Sequence, residues 1–166
     1  MTTIAWKGGT LAADSQSSAG DVICSLKEEK IFTPADGEVW SVNGEVVLAV
    51  GVAGDCGAEV ELIDALKRGV SYATHFQPNS DFSALAVTAV NRCFIIYKSE
   101  GKERASVSLQ LDPHAIGSGG MIARAAMHCG QDAIGAVRTA IEMDLYSGGH
   151  ISSFTTNAVV THIKQD

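Results

Sequence analysis

The chain has 166 residues, of which 46% are hydrophobic and 19% charged, and its formal net charge is −7. This composition excludes intrinsic disorder, which requires low hydrophobicity and high charge. It also offers no basic surface to phosphates, so we expect neither nucleic acid nor an anionic membrane as a partner. The length predicts one domain over residues 1–166. The positive mean hydropathy of +0.13 suggests apolar surface that is covered by another subunit.

The N-terminal half is predicted to be mostly β-strand, with turns at Lys7-Gly8-Gly9 and Asn43-Gly44. The predicted strands of this half are Thr2–Trp6, Thr10–Asp14, Leu26–Thr33 and Glu45–Val52. The longest apolar run, Val46–Ala53, is far too short to span a membrane. The start, Met1–Lys7, has no basic region followed by an apolar core, so we expect no secretory signal.

Helical periodicity begins after this half. Val60, Ile63 and Leu66 recur at helical spacing within the predicted helix Asp55–Val70. Further strands are predicted at Phe82–Val90, Arg92–Lys98, Ala105–Leu111, His114–Ile116 and Ser152–Ile163. A second helix is predicted at Met121–Cys129. A third helix is predicted to begin after its cap, Asp132, and to end at the glycines of Ser147-Gly148-Gly149. Segregated helices and hairpin-linked strands predict an α+β fold with two stacked antiparallel sheets flanked by helices.

The cysteines indicate a reducing compartment. Cys24, Cys56, Cys93 and Cys129 occur singly, with no C-x-x-C pair and no histidine at zinc spacing. We therefore expect reduced thiols in a cytoplasmic protein, without a metal site. The sequence has no phosphate-binding loop and no dinucleotide fingerprint, so no cofactor is expected either.

The N-terminus carries a candidate nucleophile. Removal of Met1 would leave Thr2 as the first residue. A free N-terminal threonine combines a hydroxyl nucleophile with its own base, because an α-amine has a pKa of about 7.7–8.0 and is partly neutral near physiological pH. With Met1 retained, the nitrogen of Thr2 is an amide and cannot act in this way.

Short motifs in a fixed order support the hypothesis that Thr2 is a nucleophile. They are Thr2-Thr3-Ile4-Ala5, Asp14, the pair Ser18 and Gly20, Lys30 sixteen residues after Asp14, Ala53-Gly54, Ala115-Ile116-Gly117-Ser118-Gly119-Gly120 and Asp144-Leu145-Tyr146-Ser147-Gly148-Gly149. In this order the sequence resembles the proteasome β-type N-terminal nucleophile (Ntn) hydrolases over nearly the whole chain, and most of all the bacterial proteasome-like peptidase HslV. Ser18 stands where the family has threonine, and Asp55 stands where it has a second glycine.

The resemblance implies a role for each matched position. It implies catalytic roles for Thr2, Asp14, Lys30, Gly54, Ser118, Asp144 and Ser147, and substrate-binding roles for Ser18, Gly20, Val52 and Cys56. Lys30 would favour the ionised hydroxyl of Thr2 while Asp14 holds the lysine in place. The amide of Gly54 would stabilise the oxyanion, and the Ser118, Asp144 and Ser147 group would orient the amine. Structural alternatives remain for three of these features: a surface ion pair for Asp14–Lys30, a simple strand-to-helix turn for Gly54 and a helix cap for Ser118.

The implied fold is a four-layer αββα Ntn-hydrolase sandwich. The implied function is that of a threonine peptidase subunit in a self-compartmentalising, homo-oligomeric ring, acting on polypeptides and served by a ring ATPase unfoldase. A substrate would lie as an added strand between the Ser18–Gly20 and Gly51–Gly54 segments. Two alternatives remain at this point: a non-catalytic ring subunit of the same fold, and an amide hydrolase that acts on a small molecule.

Overall fold

A computed structural model describes residues 1–156 of the chain. The described elements are β1 Thr3–Lys7, β2 Thr10–Ala13, β3 Ser17–Ala19, β4 Val22–Ser25, β5 Ile31–Phe32, β6 Trp40–Val42, β7 Glu45–Gly54, α1 Ala58–Arg68, β8 Phe82–Thr88, β9 Cys93–Lys98, β10 Ser106–Gln110, β11 His114–Gly117, α2 Gly120–His128, α3 Ala133–Met143 and β12 Ser152–Thr155. None of the helices within residues 1–156 is long and apolar enough to cross a membrane.

The strands form two main antiparallel sheets and one separate hairpin. The four-stranded sheet has the order β11-β1-β2-β12. The six-stranded sheet has the order β10-β9-β8-β7-β5, with β6 paired to β7. The two-stranded hairpin of β3 and β4 stands apart from both sheets.

Three apolar clusters hold these elements together. Alternation along β1 sends Ile4 into a cluster shared with Leu85 of the six-stranded sheet, whereas Ala5 faces a cluster shared with Val137 of α3. A third cluster lies on the other side of the six-stranded sheet and includes Leu62 of α1. The structure is therefore α+β, with antiparallel sheets and three helices in its described part.

The helices follow from sequence signals that act locally. In α1, Glu59 and Glu61 lie in the first turn and Lys67 and Arg68 in the last turn, which complements the helix dipole. The predicted cap of α3 is confirmed, because the Asp132 carboxylate accepts a hydrogen bond of 2.7 Å from the Gly135 amide.

Two element predictions need correction, and three strands of the described part were missed. The predicted strand Leu26–Thr33 is wrong, because only Ile31–Phe32 is a strand there, and the preceding residues form a loop whose Glu28 amide donates to the Ser15 carbonyl. The hairpin of β3 and β4 and the strand β6 were not predicted. The helix α3 ends at Met143, well before Gly148, since Asp144 turns into extended backbone with φ −101°. Of the predicted strand Ser152–Ile163, residues 157–163 lie outside the described part.

Candidate active site

Thr2 immediately precedes β1, with only 2% of its surface exposed. Its backbone amide donates a hydrogen bond of 3.2 Å to the hydroxyl of Ser118. Its hydroxyl donates one of 3.2 Å to Oδ1 of Asp14. Met1, which is about half exposed, precedes it, so the nitrogen of Thr2 is part of a peptide bond here.

Asp14 is fully buried and joins several segments of the chain. It follows β2, and the hairpin register of β1 with β2 brings it beside Thr3, whose amide donates to Oδ1 at 2.9 Å. Its other oxygen accepts hydrogen bonds from the amides of Gln16, at 3.2 Å, and Gly148, at 3.0 Å. These donors satisfy the carboxylate, which makes its burial tolerable.

Lys30 pairs with this carboxylate. Its Nζ lies 2.8 Å from Oδ1 of Asp14, and it also donates to the Gln16 carbonyl oxygen. Burial lowers the pKa of Lys30 below its ordinary value of 10.5, although the hydrogen bond and the charge of Asp14 act in the opposite direction. The lysine is only 6% exposed, so the alternative of an ordinary surface ion pair is wrong. The structure thus places a buried ammonium and the hydroxyl of Thr2 on the same carboxylate oxygen.

Ser118, Asp144 and Ser147 form a connected polar group beside the nitrogen of Thr2. The hydroxyls of Ser118 and Ser147 both donate to Oδ2 of Asp144, at 2.7 and 2.6 Å. The hydroxyl of Ser147 also lies 2.6 Å from that of Thr3. The capping alternative for Ser118 is wrong, because the cap of α2 is Gly119 and no side chain hydrogen-bonds to it.

Glycines allow these segments to approach β1 closely. Gly117 has φ +91°, and a Cβ there would collide with the carbonyl oxygen of Thr2. A Cβ on Gly119 would collide with the hydroxyl of Thr3, and one on Gly148 with the amide oxygen of Gln16. The two glycine-containing motifs therefore supply close backbone approach as well as turns.

Gly54 ends β7 at the turn that leads towards α1. It has φ +135°, and a Cβ there would lie 2.7 Å from the Cα of Phe82. Asp55 and Asp81 fasten the turn, because the amide of Asp55 donates to the Asp81 carbonyl at 3.0 Å and the amide of Asp81 donates to Oδ2 of Asp55 at 2.9 Å. Asp55, the departure from the family motif, thus braces the turn with its side chain.

An open cleft runs past Thr2. Of the predicted site residues, it is lined by Thr2, Ser18, Lys30, Val52, Gly54 and Cys56. Gly20 lies in the turn between β3 and β4, with φ +56°, and is not among the lining residues. Beyond Gly54 the cleft continues past Asp81, Ser83 and Tyr97. Within residues 1–156, no group of three or more His, Cys, Asp or Glu side chains is placed to hold a metal ion.

The sequence prediction missed several contributors to this site. The amides of Thr3, Gln16 and Gly148 donate to Asp14, but any residue except proline carries such a donor, so no side-chain pattern marks them. Asp81 and Tyr97 reach the cleft from the six-stranded sheet, and no motif points to either residue. The one sequence signal for a contact at this turn was Asp55, which stands where the resembled family has a glycine and which hydrogen-bonds with Asp81.

Comparison with known proteins tests the fold. No protein-family model matches the chain, and no curated protein matches it significantly. A structure of Thiobacillus denitrificans BPH in complex with epoxomicin, a proteasome inhibitor, is 20% identical, with a TM-score of 0.61 over 92% of this chain and 96% of that one. The chain has a proteasome-like fold. A second structure of Thiobacillus denitrificans BPH is 19% identical, with a TM-score of 0.58 over 95% of this chain and 98% of that chain, and it shares the proteasome-like fold.

Proposed function

We propose that this protein is a threonine-type endopeptidase of the N-terminal nucleophile class, active once Met1 has been removed. One observation carries the proposal: the hydroxyl of Thr2 and the buried ammonium of Lys30 share one oxygen of Asp14. The proteasome-like fold and the three apolar clusters support a four-layer arrangement of helices and sheets, and the motifs support an HslV-like peptidase.

In the proposed reaction, the hydroxyl oxygen of Thr2 attacks the carbonyl carbon of a peptide bond. The hydroxyl proton passes to the free α-amine of Thr2, which Ser118 orients, and then to the departing amine of the substrate. In this proposal the amide of Gly54 stabilises the oxyanion, and Lys30 favours the ionised hydroxyl. Water then hydrolyses the ester on Thr2 and restores both the hydroxyl and the amine.

The proposal extends to assembly and location. An unconfined peptidase would endanger other proteins of the cytoplasm, so we propose cytoplasmic homo-oligomeric rings that enclose the sites. We propose polypeptides as the substrates and a ring ATPase unfoldase as the partner. Exposed large apolar side chains support a covered surface; Leu111 is 88% exposed and Leu145 is 85% exposed in the single chain.

The test compares preparations of the protein that begin at Met1 and at Thr2, verified by mass spectrometry. We expect peptide cleavage only from the second, because an amide nitrogen cannot accept the hydroxyl proton. An inhibitor that reacts with N-terminal threonines should add to Thr2 in that preparation alone. Equal cleavage by both preparations would show that Thr2 does not act through a free amine.

Two variants complete this test. Thr2→Ala, beginning at the alanine, should lose all cleavage while circular dichroism shows a retained fold. Thr2→Ser should keep measurable activity, since its hydroxyl and amine remain and only the methyl that restricts the side-chain rotamer is lost. If the protein from its natural source quantitatively retains Met1, the non-catalytic ring subunit replaces the peptidase as the better proposal.

A further inference from the structure

The cleft beside Thr2 is strongly acidic. Among the described residues 1–156, four carboxylates line its part nearest Lys30, from Glu28, Glu29, Asp55 and Glu59. In the same described part of the chain, the only ammonium among the lining side chains belongs to Lys30, which is already paired with Asp14. A ligand that enters the cleft therefore meets a net negative charge that the site itself does not neutralise.

The four carboxylates differ in how they are engaged. Asp55 accepts a hydrogen bond from the Asp81 amide, and Glu29 lies 3.9 Å from the imidazole of His150. Glu59 accepts a hydrogen bond of 2.9 Å from the Gly57 amide, which fixes its position without cancelling its charge. Within residues 1–156, neither Glu28 nor Glu59 forms an ion pair. These two carboxylates remain available to a cationic ligand.

The cleft also has apolar lining residues. Val52 is almost fully buried there, the half-buried Phe32 lies beside it, and Cys56 completes the apolar surface. A cleft lined by both apolar side chains and carboxylates matches a side chain that carries a long aliphatic stem and a terminal cation. Lysine and arginine are the two natural side chains of this kind.

We infer that the cleft selects substrates with lysine or arginine immediately before the cleaved bond. This inference rests on the proposed peptidase function and adds the class of substrate to it. The stem of the basic side chain packs on Val52 and Phe32, and its cation lies near Glu28 and Glu59. A glutamate at the same position of the substrate is repelled by the same carboxylates.

The experiment uses the protein that begins at Thr2 and three fluorogenic peptides that differ only at the residue before the cleaved bond. The residues compared are arginine, leucine and glutamate. We expect kcat/KM to be highest for the arginine peptide and lowest for the glutamate peptide, with the preference for arginine over leucine falling as salt is added. Leucine or glutamate cleaved as fast as arginine, in a Thr2-dependent reaction, overturns the inference while the proposed function stands.

A charge-removing variant tests the residues. Glu59→Gln retains an oxygen for the Gly57 amide, and we expect it to lower the arginine-to-leucine ratio by about fivefold, the size of a partly exposed ion pair. Glu100→Gln is the matched control, because Glu100 is exposed in a turn and does not line the cleft. Equal changes in the two variants, or no change in Glu59→Gln, contradict the inference. Absence of cleavage of all three peptides, together with no inhibitor adduct at Thr2, removes the proposed function and the inference with it.

Discussion

The buried ammonium of Lys30 has a direct consequence for pH dependence. Burial lowers its pKa below 10.5, so it loses its proton at a lower pH than an exposed lysine does. The proposed reaction needs this charge beside the hydroxyl of Thr2, and it also needs a neutral α-amine. The first requirement fails as pH rises, and the second fails as pH falls.

We therefore predict a bell-shaped dependence of kcat/KM on pH. The acid limb should lie below the free α-amine pKa of about 7.7–8.0, because the charge of Lys30 disfavours a second cation nearby. The alkaline limb should have its midpoint below 10.5, since deprotonation of Lys30 removes the positive charge. Initial rates measured from about pH 5, well below the free α-amine pKa, to pH 10.5 test both limbs.

Lys30→Ala provides the control for this profile. We expect turnover to be abolished, whereas loss of an exposed ion pair would cost under about 1 kcal/mol and leave turnover intact. Assembly, followed by light scattering, should change little. Near wild-type turnover in this variant would exclude the role assigned to the ammonium.

The turn between β11 and α2 shows how one element positions another. Gly117 has a positive φ and abuts the backbone of Thr2, and that backbone cannot yield as a flexible side chain can. Gly130, after α2, also has a positive φ of +104°, but it has open space where a Cβ would lie. A substitution at Gly130 therefore tests backbone strain alone, whereas one at Gly117 tests strain together with displacement of β1.

We predict that Gly117→Ala and Gly130→Ala both lose stability but differ in activity. Each should lose about 1 kcal/mol or more from backbone strain, measured by urea denaturation. Only Gly117→Ala should also lose peptidase activity, because its methyl pushes the carbonyl of Thr2 away from the site. Equal activity losses in both variants would contradict this account of the turn.

The elements were predictable where one period ran for several turns or residues. The helix α1 and the strand β7 follow from such runs. The hairpin of β3 and β4 was missed because its strands are only three and four residues long, and neither has a buried face that would produce an alternating pattern. The Leu26–Thr33 segment alternates in part, but only Ile31–Phe32 pairs with β7, and the residues before it form the loop that ends at the buried Lys30.

The candidate site was predictable through its side chains and not through its backbone. Thr2, Asp14 and Lys30 were chosen on motif spacing, and the structure brings them together by hydrogen bonds. The amides that complete the shell of Asp14 come from fold geometry, which no residue type marks. The carboxylates of the cleft were visible in the sequence, but only the structure places Glu28 and Glu59 around one space.

The hairpin of β3 and β4 leaves apolar side chains uncovered on both faces. Val22 and Ile23 point to opposite faces and are 66% and 54% exposed. The hydroxyl of Tyr146 donates to Asp21 at 3.1 Å and brings the exposed Leu145 segment next to the hairpin. A two-stranded hairpin is marginally stable alone, and its exposed apolar side chains favour a contact with another copy of the chain.

We predict that the protein is a homo-oligomer and that the hairpin contributes to its contacts. Light scattering at micromolar concentration should show a mass well above 17.3 kDa. Ile23→Asp should reduce that mass, because a buried charge without a partner is costly. Val90→Asp is the control, since Val90 is also exposed, at 65%, but lies between β8 and β9. A wild-type species of 17.3 kDa alone would contradict the prediction.

The hydrogen bonds of Asp14 also bear on when the site can exist during synthesis. The hydrogen bonds of the site join distant parts of the chain: Gly148, which donates to Asp14, lies 134 positions after that aspartate. Ser118, which accepts the hydrogen bond from the Thr2 amide, follows it by 116 positions. A nascent chain that ends before these residues therefore holds the threonine without the network that positions it. Under the proposed function, a product that terminates before Ser118 and Gly148 should therefore cleave no peptide.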